Sequence, residues 1–275
     1  MPLRSVVQRL RCCAMTDGEH GPATLSVEGM KTLLRKTCWQ AIRDEGAARF
    51  PGVEGRIPNF VGAEAAARGL AGHPLFSRAS TLKCNPDSPQ RPVRHAALKS
   101  GKRIYMAVPR LAETHPFIEL DPACIPANKL WEASSIKGAG THGVPVPLSA
   151  MAAIDLIVTG CVGVGRDGAR LGKGGGYSDL EFGLLMEAGL LSPTTPVVTT
   201  VHPCQVLADA AIPMTPHDVP LTALFLPEDV VLCHGDYGRP PGVLPEELEP
   251  SKRDAIPVLS GRRAAGDPPR SFHED

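Results

Sequence analysis

A cluster of glycines and charged side chains at residues 170–179 is the clearest sign of chemistry in the sequence. The segment reads Arg-Leu-Gly-Lys-Gly-Gly-Gly-Tyr-Ser-Asp, and its glycines are Gly172, Gly174, Gly175 and Gly176. Glycine lets successive backbone N–H groups converge on an anion, and a helix beginning near Asp179 would add its positive dipole end. Arg170 and Lys173 add positive charge, and Asp179 is a ligand type that Mg²⁺ accepts beside phosphate oxygens. The segment therefore predicts a phosphate-binding loop, and the alternative is a glycine-rich turn with two surface cations.

Three other motifs of cofactor-binding proteins are incomplete. Residues 163–168 match the motif Gly-x-Gly-x-x-Gly, but they lead into the glycine-rich segment at residues 170–179 and not directly into a helix. A pyrophosphate bound to them would therefore meet no helix dipole. A Walker A motif requires Ser or Thr after its lysine, whereas Gly174 follows Lys173. His202 and Cys204 lack a nearby second pair of ligands, which favours packing over a zinc site.

Three further groups of polar residues each have a functional and a structural interpretation. Arg91 and Arg94 could grip a carboxylate, but a solvated helix face is favoured. Residues 137–140, Lys-Gly-Ala-Gly, could be a second anion loop or a flexible lid. His217 and Asp218 could be a functional pair, and capping of a helix or turn by Asp218 is the alternative.

Composition and charge exclude several classes of protein. The 275 residues contain 29 Lys+Arg and 29 Asp+Glu, a balance that argues against a nucleic-acid partner and against a polybasic membrane anchor. A hydrophobic content of 43% excludes wholesale disorder. The longest apolar stretch, residues 149–165, is too short and interrupted to span a bilayer. The eight cysteines include no Cys-x-x-Cys pair, which predicts free thiols and a cytoplasmic location.

Periodicity and turn residues predict alternating helices and strands. Ser26 is a predicted N-cap, and the apolar spacing up to about residue 49 favours an amphipathic helix. Residues 155–164 are a near-continuous apolar run, typical of a strand covered on both faces. Further helices are predicted at residues 63–71, 91–100 and 179–188, and further strands at residues 79–84, 103–108, 196–202, 223–226 and 230–233. The alternation predicts a layered α/β domain with a mostly parallel sheet.

The sequence divides into a central domain and two polar ends. Residues 1–25 are predicted to be flexible, and their first fourteen residues resemble either a mitochondrial leader or a segment preceding a true start at Met15. Residues 26–236 form the predicted domain. Residues 237–275 are Pro-rich and poor in large apolar side chains, which predicts a flexible tail whose removal leaves the fold intact.

Three elements, in order along residues 28–233, resemble the 5-formyltetrahydrofolate cyclo-ligase family. They are Lys31 with Arg35 in the first helix, the glycine-rich loop, and the stretch Gln205, Ile212-Pro213 and His217-Asp218-Val219-Pro220-Leu221. Four more segments resemble the divergent branch of methenyltetrahydrofolate synthetase domain-containing proteins: Arg56–Phe60, Asn85–Pro92, Ser134–Gly138 and Thr199–His202. The RNA-recognition motif that vertebrate members of this branch append is not readable here.

The resemblance implies a three-layer Rossmann-like fold and a ligase that forms a C–N bond. It implies that ATP and Mg²⁺ drive the closure of 5-formyltetrahydrofolate, a reduced folate, to 5,10-methenyltetrahydrofolate. By the same resemblance, Tyr177 and Arg170 would act at the reaction centre, and Asp179 would bind the metal. The ATP phosphates would be bound by Lys31, Arg35, Arg170, Gly172, Lys173, Gly174, Gly175, Gly176 and Tyr177.

The sequence departs from the family on the folate side. The family's Tyr-Tyr-Asp is Tyr-Ser-Asp here, ending at Asp179, and the acid expected soon after Asp218 is Thr222. Residues 86–91 replace the Glu-x-x-Thr segment that contacts folate, so Asp87 and Arg91 become the candidate substrate-binding residues. Two alternatives follow, namely an ATP-driven cyclisation or ligation of another substrate, and a non-catalytic protein that binds a nucleotide or folate.

Overall fold

An eight-stranded sheet organises residues 25–260, which are the residues that the computed structural model describes. Its strands, in spatial order, are β11 (Val230–Leu232), β10 (Ala223–Phe225), β8 (Val197–Thr200), β5 (Leu156–Thr159), β1 (Thr81–Cys84), β2 (Arg103–Ala107), β3 (Phe117–Leu120) and β4 (Val144–Val146). The five central strands, from β10 to β2, pair in parallel. The outer strands β11, β3 and β4 are antiparallel additions to the two edges. The predicted mostly parallel sheet is therefore confirmed.

Helices cover both faces of this sheet, which makes three layers. The helices are α1 (Val27–Asp44), α2 (Ala63–Ala71), α3 (Pro74–Ser77), α4 (Arg91–Lys99), α5 (Leu130–Ala133), α6 (Ile136–His142), α7 (Tyr177–Glu187) and α8 (Pro250–Ala255). Alternate residues of each strand point to opposite faces, so Leu82 and Val158 pack with α2 and α4. Ile157 and Leu224 belong to the core on the other face, with α7.

The first helix packs on a smaller sheet and not on the large one. Strands β6 (Gly163–Gly165), β7 (Arg170–Leu171) and β9 (Val206–Leu207) form this second sheet. Leu34, Cys38 and Ile42 of α1 share a core cluster with it. The predicted N-cap is confirmed, because the Ser26 hydroxyl accepts a hydrogen bond from the Gly29 N–H at 3.1 Å.

The order of the parallel strands reverses between β1 and β5. From β1 the chain crosses through α4 to β2, whereas β5, β8 and β10 are added on the opposite side of β1. The crossover into β8 runs through α7, on the other face of the sheet. Ligands of such open sheets bind outside the carboxyl ends of the strands at this reversal. A ligand site is therefore expected next to the residues that follow Cys84 and Thr159.

The prediction of a single long strand over residues 155–164 is wrong. The chain leaves the large sheet after Thr159 and enters the small sheet at Gly163. A side chain at Gly160 would meet the Asp87 carboxylate at 2.9 Å and the Gln90 amide oxygen at 3.0 Å. The turn therefore requires glycine at this position, and one apolar run supplies strands to two sheets.

The prediction of a flexible tail is wrong for residues 237–260. Val243, Ile256 and Leu259 are buried in the core cluster that contains the α7 side chains. The Tyr237 hydroxyl also donates a hydrogen bond to the Asp167 carboxylate at 2.7 Å. The composition of the segment did not predict this packing, because its few apolar residues are spread among prolines and charged residues. The remaining predicted flexible residues, 1–24 and 261–275, lie outside the described part of the chain.

Candidate active site

The glycine-rich loop joins β7 to α7 and begins the helix directly. Gly174 and Gly176 have φ values of +103° and +62°, the left-handed region that favours glycine. Gly176 is the N-cap of α7, and none of the side chains that the structure describes caps the helix there. The loop therefore presents the positive end of an 11-residue helix, as the sequence predicts.

A buried arginine of the first helix holds the loop from one side. Arg35 Nε donates to the Gly172 carbonyl at 2.9 Å, and its Nη1 donates to Glu28 Oε1 at 2.6 Å. A Cβ added at Gly174 would lie 3.4 Å from the guanidinium carbon. Arg35 thus lies at the loop, where it shapes the loop backbone as well as adding charge; its predicted role in phosphate binding stays a prediction.

Arg170 and Asp179 form an ion pair across the two ends of the loop. Asp179 Oδ1 accepts from Arg170 and from the Val219 N–H, the latter at 3.0 Å. Both side chains are largely buried. Among the described residues no hydrogen bond is donated to Asp179 Oδ2, so this oxygen is the one that remains for a metal ion.

Lys31 and Asp218 form a second buried ion pair beside this one. Lys31 Nζ donates to Asp218 Oδ2 at 2.6 Å, and the Thr215 N–H donates to the same oxygen at 2.7 Å. Burial opposes ionisation of Asp218, but the hydrogen bonds from Lys31 and Thr215 outweigh it and lower the pKa of the carboxyl. Asp218 therefore caps a turn and anchors Lys31, while His217 pairs mainly with Glu247, at 3.1 Å.

Lys173 joins the loop to the carboxyl end of β1. Its ammonium lies 3.6 Å from Asp87 Oδ1, and its side chain is 50% exposed. Beside Asp87, Gln90 is fully buried, its Nε2 donates to the Thr200 hydroxyl at 3.2 Å, and its Oε1 has no partner among the described atoms. Asp87, Gln90 and Lys173 thus lie together at the carboxyl ends of β1 and β5, beside the glycine-rich loop, and Gln90 was not predicted.

Arg94 supports the loop after β1 from inside the protein. It is 1% exposed and donates to the carbonyls of Asn85, Pro86, Asp87 and Ser134. The favoured interpretation as solvated helix charge, and the alternative as a carboxylate grip, are therefore both wrong for Arg94. Arg91 stays near the surface, with its guanidinium 4.1 Å from the centre of the Trp131 ring.

A buried cluster that the sequence analysis missed connects β1 to α7. Lys83 of β1 and Glu181 of α7 form an ion pair at 1% and 5% exposure. Lys83 also donates to Asn85 Oδ1 at 2.6 Å, and Asn85 Nδ2 donates to the Ser178 hydroxyl at 3.4 Å. Lys83 is the single charge within the short, fully buried strand β1, and this was the signal that could have revealed the pair.

The remaining motifs have structural roles. Residues 137–140 lie in α6, where the Ser135 hydroxyl accepts from the Gly138 N–H at 2.9 Å, so both predictions for them, anion loop and lid, are wrong. His202 Nδ1 accepts from the Cys204 N–H at 3.3 Å and caps a short helix. This agrees with the structural role that was favoured over a zinc site. Residues 163–168 form β6 and most of the turn that leads to β7, and they open no helix.

The described residues contain neither a cluster of metal-ligating side chains nor a membrane-spanning helix. Within 25–260, no group of three His, Cys, Asp or Glu side chains is placed to hold a metal ion. No helix in that part of the chain is both long and apolar enough to cross a membrane. The cytoplasmic location remains a prediction.

A three-layer α/β fold with a cation-lined glycine loop near its strand reversal is an arrangement typical of α/β proteins with phosphorylated ligands. The sequence model of the 5-formyltetrahydrofolate cyclo-ligase family matches residues 29–227, and the chain belongs to this family. The family resemblance inferred from the sequence is confirmed.

Curated relatives agree with the divergent branch. Proteins named methenyltetrahydrofolate synthase domain-containing protein from Mus musculus, Bos taurus and Homo sapiens are 34%, 33% and 32% identical over 85%, 84% and 84% of this chain. The chain spans only 63%, 61% and 61% of their lengths. The NMR structure of Aquifex aeolicus 5,10-methenyltetrahydrofolate synthetase is similar with a TM-score of 0.49 and 18% identity, over 76% of this chain and 95% of that chain.

Proposed function

We propose that the protein converts 5-formyltetrahydrofolate to 5,10-methenyltetrahydrofolate with ATP and Mg²⁺, releasing ADP and phosphate. In this reaction the formyl oxygen attacks the γ-phosphorus of ATP. The second folate nitrogen then closes the ring, and phosphate leaves. Family membership over residues 29–227 supports the reaction class. The observation that carries the proposal is the glycine-rich loop, with cationic side chains around it, beside the residues that follow β1 and β5.

The phosphate side of the proposed site is built from fixed and movable charge. Arg35 and Arg170 are buried and held by carboxylates, at Glu28 and Asp179 respectively, so their guanidinium groups provide positive charge at fixed positions. Lys173 is half-exposed, and its contact with Asp87 is long at 3.6 Å. It is therefore the cation that can move most easily onto a phosphate. Tyr177, the first residue of α7, lies beside the loop.

The metal is assigned to the carboxylate that the loop itself carries. Magnesium in phosphate sites uses one or two protein carboxylates and completes its shell with phosphate oxygens and water. Asp179 fits this requirement, since its Oδ2 receives no hydrogen bond among the described residues while Oδ1 is held by the Val219 N–H at 3.0 Å. When bound, Mg²⁺ would neutralise negative charge on the triphosphate.

The folate side is assigned to the rebuilt segment after β1. Asp87 offers carboxylate oxygens at the carboxyl end of β1, and the buried amide oxygen of Gln90 beside it has no partner among the described atoms. These acceptors suit the N–H groups of a pterin ring. Arg91 keeps one surface of its guanidinium on Trp131 and is the candidate for the carboxylate tail of the substrate.

Substitution of Lys173 tests the proposal. We expect Lys173→Ala to weaken MgATP binding by about tenfold, because one charge-assisted contact is lost. Titration calorimetry measures the affinity, and the near-ultraviolet absorbance of the methenyl product measures turnover. Lys36→Ala removes an exposed lysine of α1 and should leave both readouts unchanged.

The outcomes separate the proposed activity from its alternatives. Absorbance that rises only with MgATP and 5-formyltetrahydrofolate together supports the cyclo-ligase. MgATP binding without turnover favours a non-catalytic binding protein, and phosphate release with another carboxylate or formamide favours a different ligase. Equal MgATP affinity in Lys173→Ala and the wild type would contradict the site assignment.

A further inference from the structure

A lysine from the C-terminal segment reaches the glycine-rich loop. Lys252, on α8, donates a hydrogen bond to the Gly175 carbonyl. Its ammonium lies 4.7 Å from the centre of the Tyr177 ring. A Cβ added at Gly176 would lie 3.1 Å from Nζ. The ammonium is therefore placed against the loop and against the first residue of α7. Residue 252 lies beyond the family match, which ends at residue 227.

Lys252 differs from the other cations around the loop because it forms no ion pair with a described carboxylate. Each of the others has a carboxylate partner within 4.0 Å, in the pairs Lys31–Asp218, Arg35–Glu28, Arg170–Asp179 and Lys173–Asp87. Among residues 25–260, no carboxylate oxygen lies that close to Lys252 Nζ. Burial lowers the pKa of the Lys252 amine, although Asp179 and Glu249 oppose this shift from a greater distance. An anion on the loop would relieve this cost of desolvation.

The segment that carries Lys252 is fixed to the body of the domain. Ile256 and Leu259, which follow the lysine, are buried in the α7 core. Before it, the Val243 N–H donates to Glu187 at 2.9 Å, and Glu247 pairs with His217 at 3.1 Å. A lysine on a segment that is fixed on both sides, with its ammonium already at the Gly175 carbonyl, loses less freedom when it contacts a ligand. Lys252 is therefore prepositioned, and it is not a surface lysine that lies near the loop by chance.

We propose that Lys252 is a phosphate-binding residue of the loop, and that its ammonium contacts the terminal phosphate of a bound triphosphate. The inference rests on the proposed function for the ligand, but it concerns a residue outside the family-matched part of the chain. An ammonium has three donors. Gly175 takes one of them, which leaves donors for phosphate oxygens. The C-terminal segment then completes the site as well as the core.

The test compares anion affinity in matched variants. Lys252→Met keeps most of the side-chain stem against Tyr177 and removes the charge, whereas Lys252→Arg keeps the charge. Lys99→Met removes an exposed lysine at the end of α4 and serves as the control. Each full-length protein is titrated by calorimetry with inorganic tripolyphosphate and with MgATP, and its thermal melting is recorded separately.

We expect Lys252→Met to weaken tripolyphosphate binding by about 10- to 100-fold, with Lys252→Arg recovering most of the loss and Lys99→Met unchanged. If Lys252 only fastened α8, the Met variant would melt earlier but bind the anion as the wild type does, which would overturn the inference. If the wild type binds tripolyphosphate but does not bind MgATP, the proposed function is rejected. The tripolyphosphate affinity of the Met variant would still decide the role of Lys252. Binding of neither ligand to the wild type would overturn both.

Discussion

A chain that ends at residue 236 is expected to lose most of its stability, because it lacks part of the α7 core. Val243, Ile256 and Leu259 are each no more than 8% exposed. Burial of one such side chain contributes about 1.5–3 kcal/mol, so the three contribute about 5–9 kcal/mol together. Native proteins are stable by only about 5–15 kcal/mol in total. We therefore expect circular dichroism to show either no cooperative transition or a melting temperature lowered by more than about 10 °C.

Two comparisons make this result specific to the buried contacts. A chain that ends at residue 260 keeps every contact of the segment within the described residues and should retain a cooperative transition. In the full chain, Leu259→Ala should cost about 2–5 kcal/mol, whereas Asp254→Ala, at an exposed position of α8, should cost less than about 0.5 kcal/mol. If the chain ending at residue 236 melted like the full-length protein, the core assignment of the segment would be incorrect.

Local sequence signals predicted the elements whose boundaries depend on local chemistry. The helix predicted at residues 63–71 is α2 without change, and the helix predicted at residues 91–100 ends one residue early. The Ser26 cap and the glycine loop before α7 were also predicted. In each case a capping residue, a proline or a run of glycines determines the backbone within a few residues. Such signals remain readable in a single sequence.

Long-range pairings could not be read in the same way. Arg94 looks like a helix surface charge until the chain after β1 turns its carbonyls towards it. The apolar run from residue 155 to 164 gives no sign that its two halves enter different sheets. Lys252 lies in a Pro-rich segment, and only the burial of Ile256 and Leu259 brings it to the loop. Each role depends on a partner that is distant in sequence, and no local pattern identifies that partner.

Removal of either member of the Lys83–Glu181 pair is expected to destabilise the protein more than any surface change. Lys83→Met would leave the Glu181 carboxylate at 5% exposure without its cation. Burial already raises the pKa of Glu181, and Lys83 is the group that most strongly opposes this shift. Breaking a buried ion pair from one side costs about 3–5 kcal/mol. Urea unfolding should therefore show a clearly lower midpoint with an unchanged slope.

The double variant Lys83→Met/Glu181→Leu distinguishes a lost charge partner from lost packing. Because it removes both charges, it should recover most of the stability that Lys83→Met loses. Lys99→Met, at an exposed position, should change the free energy of unfolding by less than about 0.5 kcal/mol. Asn85 loses its Lys83 donor in both Lys83 variants. If a defect in MgATP binding persists in the stable double variant, the ion pair has a second role, which is to position Asn85 against Ser178. If Lys83→Met unfolded at the wild-type urea concentration, the two groups could not be carrying opposite charges in the folded protein.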